Sequence, residues 1–248
     1  MAAVDMFLST VMQTWRARAD GDELLPTVLA QACVAVLPVA GAGLSVIHGL
    51  RVPLGSSDDR AAAAERLQST LGEGPCLAAV EQAGPVVADA ATIAVCWPVF
   101  DVELQERTPF RSVVSLPLTA PPQTTQPQHV QPQPRRFGAL DLYLACEDGS
   151  SFPLDDAVGV AGVIGETLSG SSPLAWLRSE PATRRFKVWA AVGMLIGAAG
   201  VSSDRALALL RAYAFGLGGD GGAHDTLDDV AEDMTSGRLS AQTVLNTA

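Results

Sequence analysis

Phe110-Arg111-Ser112-Val113-Val114-Ser115-Leu116-Pro117-Leu118 is short, β-branched and bounded by proline, the pattern of a strand. Gly43-Leu44-Ser45-Val46-Ile47-His48-Gly49-Leu50 repeats it between glycines, and Phe137 to Ala145 supplies a third strand. Helical periodicity lies between and around them. Leu24 to Leu37 places Leu25, Val28, Leu29, Ala32 and Val36 on one stripe, and Ala61 to Leu71, Leu77 to Ala83 and Asp155 to Leu168 follow the same spacing. Because strands and helices alternate irregularly, the pattern predicts an α+β sheet domain instead of a regular βαβ array.

Two segments interrupt the patterning. Ala120 to Pro134 is rich in Pro, which cannot donate to a ladder, and in Gln, whose polar side chain builds no core, and reads as an exposed loop. Ser169-Gly170-Ser171-Ser172-Pro173 reads as a linker, because purely helical patterning follows it. The expected division is residues 1–170, a linker at 171–178, and a second unit at 179–248. In that second unit Val188, Ala191, Val192, Leu195 and Ala198 form one stripe, and the helix stops at Gly200. Ser202 caps a second helix, with Asp204 in its first turn and Ala206, Leu210, Tyr213, Ala214 and Leu217 on one face. Thr226-Leu227-Asp228-Asp229 opens a third, which ends at Gly237. A small all-α three-helix bundle is the expectation.

The 248 residues are 48% apolar and 17% charged, enough to bury a core and against wholesale disorder. No near-continuous apolar stretch reaches the roughly 20 residues of a membrane span. Met1 to Thr10 contains Asp5 and has neither a basic patch nor a cleavage site, so a cytoplasmic, non-membrane protein is expected. Cys33, Cys76, Cys96 and Cys146 are too widely separated for a zinc or dithiol motif and are expected to be buried thiols. The net charge of −11 repels phosphate at a distance. Its distribution is uneven: residues 173–248 hold 7 basic and 8 acidic side chains, against 7 and 13 in residues 1–120.

Several motifs in the second unit together resemble an ANTAR domain over residues 180 to 240. They are Ala191-Val192-Gly193-Met194-Leu195, Gly200-Val201-Ser202, Ala206 to Phe215, and Leu227-Asp228-Asp229-Val230-Ala231-Glu232. The first unit resembles a GAF sensor domain through Leu71-Gly72-Glu73-Gly74-Pro75-Cys76, Trp97-Pro98-Val99-Phe100, Arg111 to Val114 with Leu116-Pro117-Leu118, and Gly138 to Tyr143. The pairing is similar to the GAF plus ANTAR regulators of actinobacteria. This resemblance implies a central antiparallel sheet flanked by helices, with a pocket over one sheet face for a small ligand. It also implies a helical output module that binds RNA hairpins in nascent transcripts and prevents termination, as a homodimer. No catalytic or metal site and no particular cofactor is implied.

The candidate RNA-binding residues are Arg184, Arg185, Lys187, Ala191, Gly193, Arg205, Arg211 and Tyr213. Arg178, Arg184, Arg185 and Lys187 form a basic cluster that would pair with phosphate and stack on loop bases, or serve as a solvated helix face. Tyr213 shares the apolar stripe and is expected to pack, whereas Arg211 lies off it. Gly193 beside Ala191 permits close approach of RNA or of another helix. This chain departs from the resembled pattern at Val192 and Asp228, where many members carry a basic residue, and in the acidic insertion Asp220 to Asp225, which contains His224. The rival expectation is therefore a degenerate ANTAR module used for dimerisation or protein docking. In the first unit His48 reads as a structural histidine, Cys76 as a packed thiol with redox chemistry as the rival, and Asp141 as facing solvent or capping a turn.

Overall fold

The computed structural model describes residues 2–17, 25–48, 50–121, 135–147, 151–170, 180–218 and 227–247. Five strands form one sheet: β1 (Gly41–His48), β2 (Leu50–Ser56), β3 (Val86–Ala88), β4 (Ser112–Ala120) and β5 (Arg135–Leu144), in the order β2-β1-β5-β4-β3. Every neighbouring pair is antiparallel. Around the sheet lie α1 (Ala2–Ala17), α2 (Leu25–Val36), α3 (Asp59–Leu71), α4 (Pro75–Gln82), α5 (Ala90–Cys96), α6 (Pro98–Arg107) and α7 (Leu154–Gly170).

Period-two alternation along the central strands gives the sheet two unlike faces. Leu140, Leu142 and Leu144 of β5 join Val114, Leu116 and Leu118 of β4 in a core closed by Phe7 of α1, Leu29 of α2 and Ile164 of α7. On the opposite face, Val113 and Tyr143 pack with Ala61 and Leu67 of α3, Ile93 of α5 and Phe100 and Leu104 of α6. Phe110 stacks on Tyr143 there, with ring centroids 4.9 Å apart. Asp58 caps α3, its Oδ1 accepting from the Ala61 amide at 2.8 Å, and Asp89 caps α5 in the same way through Thr92 at 2.7 Å.

The C-terminal part comprises α8 (Glu180–Ala199), α9 (Ser203–Gly218), α10 (Leu227–Thr235) and α11 (Ala241–Thr247). Val188, Ala191, Val192 and Leu195 of α8 meet Ala206, Leu210, Tyr213 and Ala214 of α9, Val230, Ala231 and Met234 of α10, and Val244 of α11 in a separate core. This bundle leans on the sheet unit, α9 and α10 against α3 and α8 against β2.

Several expectations change. The bundle has a fourth helix among the described residues, because Val244 completes its core after the turn at Gly237. The sheet carries β2 and β3, which are too short or too polar to declare themselves: β2 pairs with β1 through Val46↔Val52 and Ile47↔Arg51. Asp141 neither faces solvent nor caps a turn but is fully buried. Cys33 and Cys76 are buried, whereas Cys96 and Cys146 are exposed. Most of the Pro/Gln loop, most of the linker, Arg178 and the insertion with His224 lie outside the described residues. So does the side chain of His48, which ends β1. Among the described residues, no single helix is long and apolar enough to cross a membrane.

Candidate functional site

The face of the sheet beneath α3 holds a closed polar cluster. Alternation along β5 sends Asp141 and Tyr143 to this face, β4 contributes Ser115, and β2 contributes Arg51. Helix α3 lays Glu65, Gln68 and Ser69 over them, three and four residues apart and so on one side of the helix. Glu65 has room because Gly43 faces it: a Cβ at that position would run into its carboxyl group.

Arg51 ties the cluster together. Its Nη2 donates to Glu65 Oε2 at 2.6 Å and to Asp141 Oδ2 at 2.9 Å. Its Nη1 donates to the Glu65 carbonyl at 2.6 Å and to Ser69 Oγ at 3.0 Å, and its Nε to Cys76 Sγ at 2.9 Å. Tyr143 Oη donates to Glu65 Oε1 at 2.6 Å, and Ser115 Oγ to Asp141 Oδ1 at 2.5 Å. Gln68 Nε2 reaches Asp141 Oδ2 and Tyr143 Oη at 3.0 and 3.1 Å, while its carbonyl oxygen accepts from the Cys76 amide at 3.2 Å. Five elements, β2, α3, α4, β4 and β5, are joined through this one guanidinium and its partners.

One cation faces two carboxyl groups, and burial decides how the charge is distributed. Burial raises Glu65 to about 8, with Asp141 adding to the rise and Arg51 and Tyr143 opposing it. At neutral pH Glu65 therefore keeps its proton and hydrogen-bonds Asp141, leaving one guanidinium against one carboxylate. The Cys76 thiol is pushed well up, chiefly by burial. Enclosed and protonated, it lacks the thiolate character that redox or nucleophilic chemistry requires. Burial likewise raises Tyr143, which stays a phenol. Ser45 Oγ, buried on β1, has no hydrogen-bond partner. The resemblance implies a ligand pocket over one sheet face; on this face the cluster's own side chains occupy the space between sheet and α3. Among the described residues no group of three or more His, Cys, Asp or Glu side chains is placed to hold a metal ion.

Among the described side chains, the candidate RNA contacts do not converge on one face. Ala191 and Tyr213 are core residues of the bundle and unavailable as contacts. Val192 is core too, so a lysine there would place its stem in the apolar interior, a packing reason for the missing charge. Lys187 Nζ is ion-paired with Glu232 across α8 and α10, and Arg238 Nε with Asp233 Oδ1 at 2.5 Å. Arg211 is half-buried, and its Nε is enclosed without a hydrogen-bond partner. Gly193 faces open space, and Arg205 is exposed in the first turn of α9. Arg184 and Arg185 lie near the start of α8, with side chains outside the described residues. Among the described side chains of α8, Trp189, Met194 and Ile196 are exposed apolar residues, with Phe215 exposed on α9.

The cluster was not foreseen from sequence, apart from Asp141 and Cys76 taken singly. The available signal was Asp141 between Leu140 and Leu142, a charge inside an apolar strand, together with an arginine at the start of β2.

Neither the family models nor the curated proteins compared with the chain match it. Among solved structures it is similar to the GAF domain from a phosphoenolpyruvate-protein phosphotransferase (ptsP) from Coxiella burnetii. That likeness has 13% sequence identity and a TM-score of 0.44 and covers 72% of this chain and 98% of that one.

Proposed function

We propose that the chain is a signal-responsive regulator in which a GAF-like half senses a small ligand or a partner and an ANTAR-like helical half binds hairpins in nascent RNA to prevent transcription termination. The observation carrying this reading is a helical bundle with its own core that exposes Gly193 and Arg205, two of the candidate RNA contacts, on adjoining helices. The bundle rests on α3, the helix that also supplies Glu65 and Gln68 to the buried cluster, so one element touches both halves. The sensing half performs no chemistry in this reading.

Electrophoretic shift with a two-hairpin RNA tests it. The wild type binds, and about four phosphate contacts on single-stranded loops give a log–log salt slope of about −3. Arg184→Ala with Arg185→Ala weakens binding and flattens that slope. An unchanged slope places the contact surface elsewhere.

A second reading, a module for dimerisation or protein docking, is favoured by the exposed apolar residues of α8 and by the engagement of Lys187 with Glu232. It predicts no RNA shift at any salt concentration.

A further inference from the structure

We infer that the helical bundle is latched to the sensing half at the C-terminal end of α3, by Arg211 seated over Gly72 and by the Leu227 amide on Thr70, and that unseating it uncovers Arg211. The inference rests on the proposed function only for the use made of Arg211 once uncovered.

Gly72 ends α3 in the left-handed conformation, φ +71°, with its amide donating to the Gln68 carbonyl at 3.0 Å. That conformation favours glycine. A Cβ on residue 72 would lie 2.5 Å from Arg211 Nη1 and 2.6 Å from Arg211 Cζ, so the guanidinium, the far end of a flexible side chain, would have to leave its present position over this residue. The second fastening is polar and local. Leu227 begins α10, its amide has no carbonyl within the helix to bond, and Thr70 Oγ1 accepts from it at 3.4 Å across the junction.

The seat is closed yet incompletely satisfied. Among the described residues Arg211 Nε is buried without an acceptor, and burial lowers the readiness of this guanidinium to carry charge. Release would return that donor to water or offer it to an anion, so the seated arrangement is opposed by the very group it covers. Helix α3 makes the latch responsive. Glu65 and Gln68 fix it to Arg51, Asp141 and Tyr143, while Thr70 and Gly72, one turn further on, hold the bundle. A signal that shifts α3 against the sheet must shift the seat as well, because the helix between them is continuous.

The test uses the full chain and amide hydrogen exchange, with RNA binding as a separate arm. Gly72→Ala should accelerate exchange around Arg211 in α9 and at the start of α10 by about tenfold while leaving β4 and β5 unchanged. Arg211→Ala alone, which removes the seated group, should accelerate exchange at the same sites, and the double variant should exchange no faster than either single variant, a coupling read by double-mutant cycle. If the two effects instead add in the double variant, strain at residue 72 and loss of Arg211 act separately and the latch is overturned. Thr70→Val, which leaves the backbone unstrained, should speed exchange at Leu227 and around Arg211 together; acceleration at Leu227 alone also overturns it. In the RNA arm, Gly72→Ala should bind the two-hairpin RNA about tenfold more tightly than wild type, and Gly72→Ala with Arg211→Ala should not. Absence of RNA binding by every variant defeats the proposed function while the exchange results still decide the latch.

Discussion

Raising the pH should weaken the fold of the sheet unit through Glu65. Its carboxyl group is raised to about 8 from an ordinary value of 4.5, chiefly by burial. Between those values the folded chain holds a proton that the unfolded chain releases. Stability therefore falls as pH rises through the window and levels off above about 8. The full excursion is on the order of 5 kcal/mol, large against the total stability of a domain. Glu65→Gln isolates this contribution: glutamine matches the protonated acid in shape and does not titrate, and its single carbonyl oxygen keeps one of the two bonds that Tyr143 and Arg51 donate to separate oxygens of Glu65. Urea unfolding of both proteins at several values between pH 5 and 9, followed by far-ultraviolet circular dichroism, measures the difference. Wild type should lose stability relative to Glu65→Gln as pH rises, with the variant the more stable at the alkaline end. Parallel curves would show that Glu65 is ionised in the folded state and that the charge distribution assigned to the cluster is wrong.

Arg51→Met should destabilise the chain by about 3–5 kcal/mol, because Asp141 is left buried without a cation; calorimetry or urea unfolding at neutral pH reads the loss. Asp58→Ala removes the cap of α3 and should cost about 1 kcal/mol, lowering the melting temperature by a few degrees without disturbing the cluster. Alkylation followed by mass spectrometry should modify Cys96 and Cys146 rapidly in the native protein and Cys33 and Cys76 only after denaturation. Rapid native labelling of Cys76 would contradict the enclosure of the cluster.

Where a segment's neighbours in sequence are also its neighbours in space, the pattern was legible. The stripe from Leu25 to Val36 is α2, the helical spacing from Ala61 to Leu71 is α3, and the apolar spacing from Val188 to Leu195 is the core side of α8. Each follows from periodicity, which reports which side of an element is buried. The central strands were legible for the same reason. Helix α1 carries exposed Met6, Leu8, Met12 and Trp15 around buried Phe7, so its apolar residues do not mark one face and it was not foreseen.

The sequence by itself determined a sheet unit followed by a helical unit and the cap at Ser202, because these depend on backbone preference and local hydrogen bonding. Tertiary structure alone decided that Arg51, Glu65 and Asp141 meet, though β5 lies some seventy residues beyond α3 in the chain, and that Arg211 comes to rest on Gly72. Periodicity tells which side of an element is covered but not by what. A buried charge is allowed only where the fold brings a partner from far along the chain, and so its role can be read only once that partner is in place.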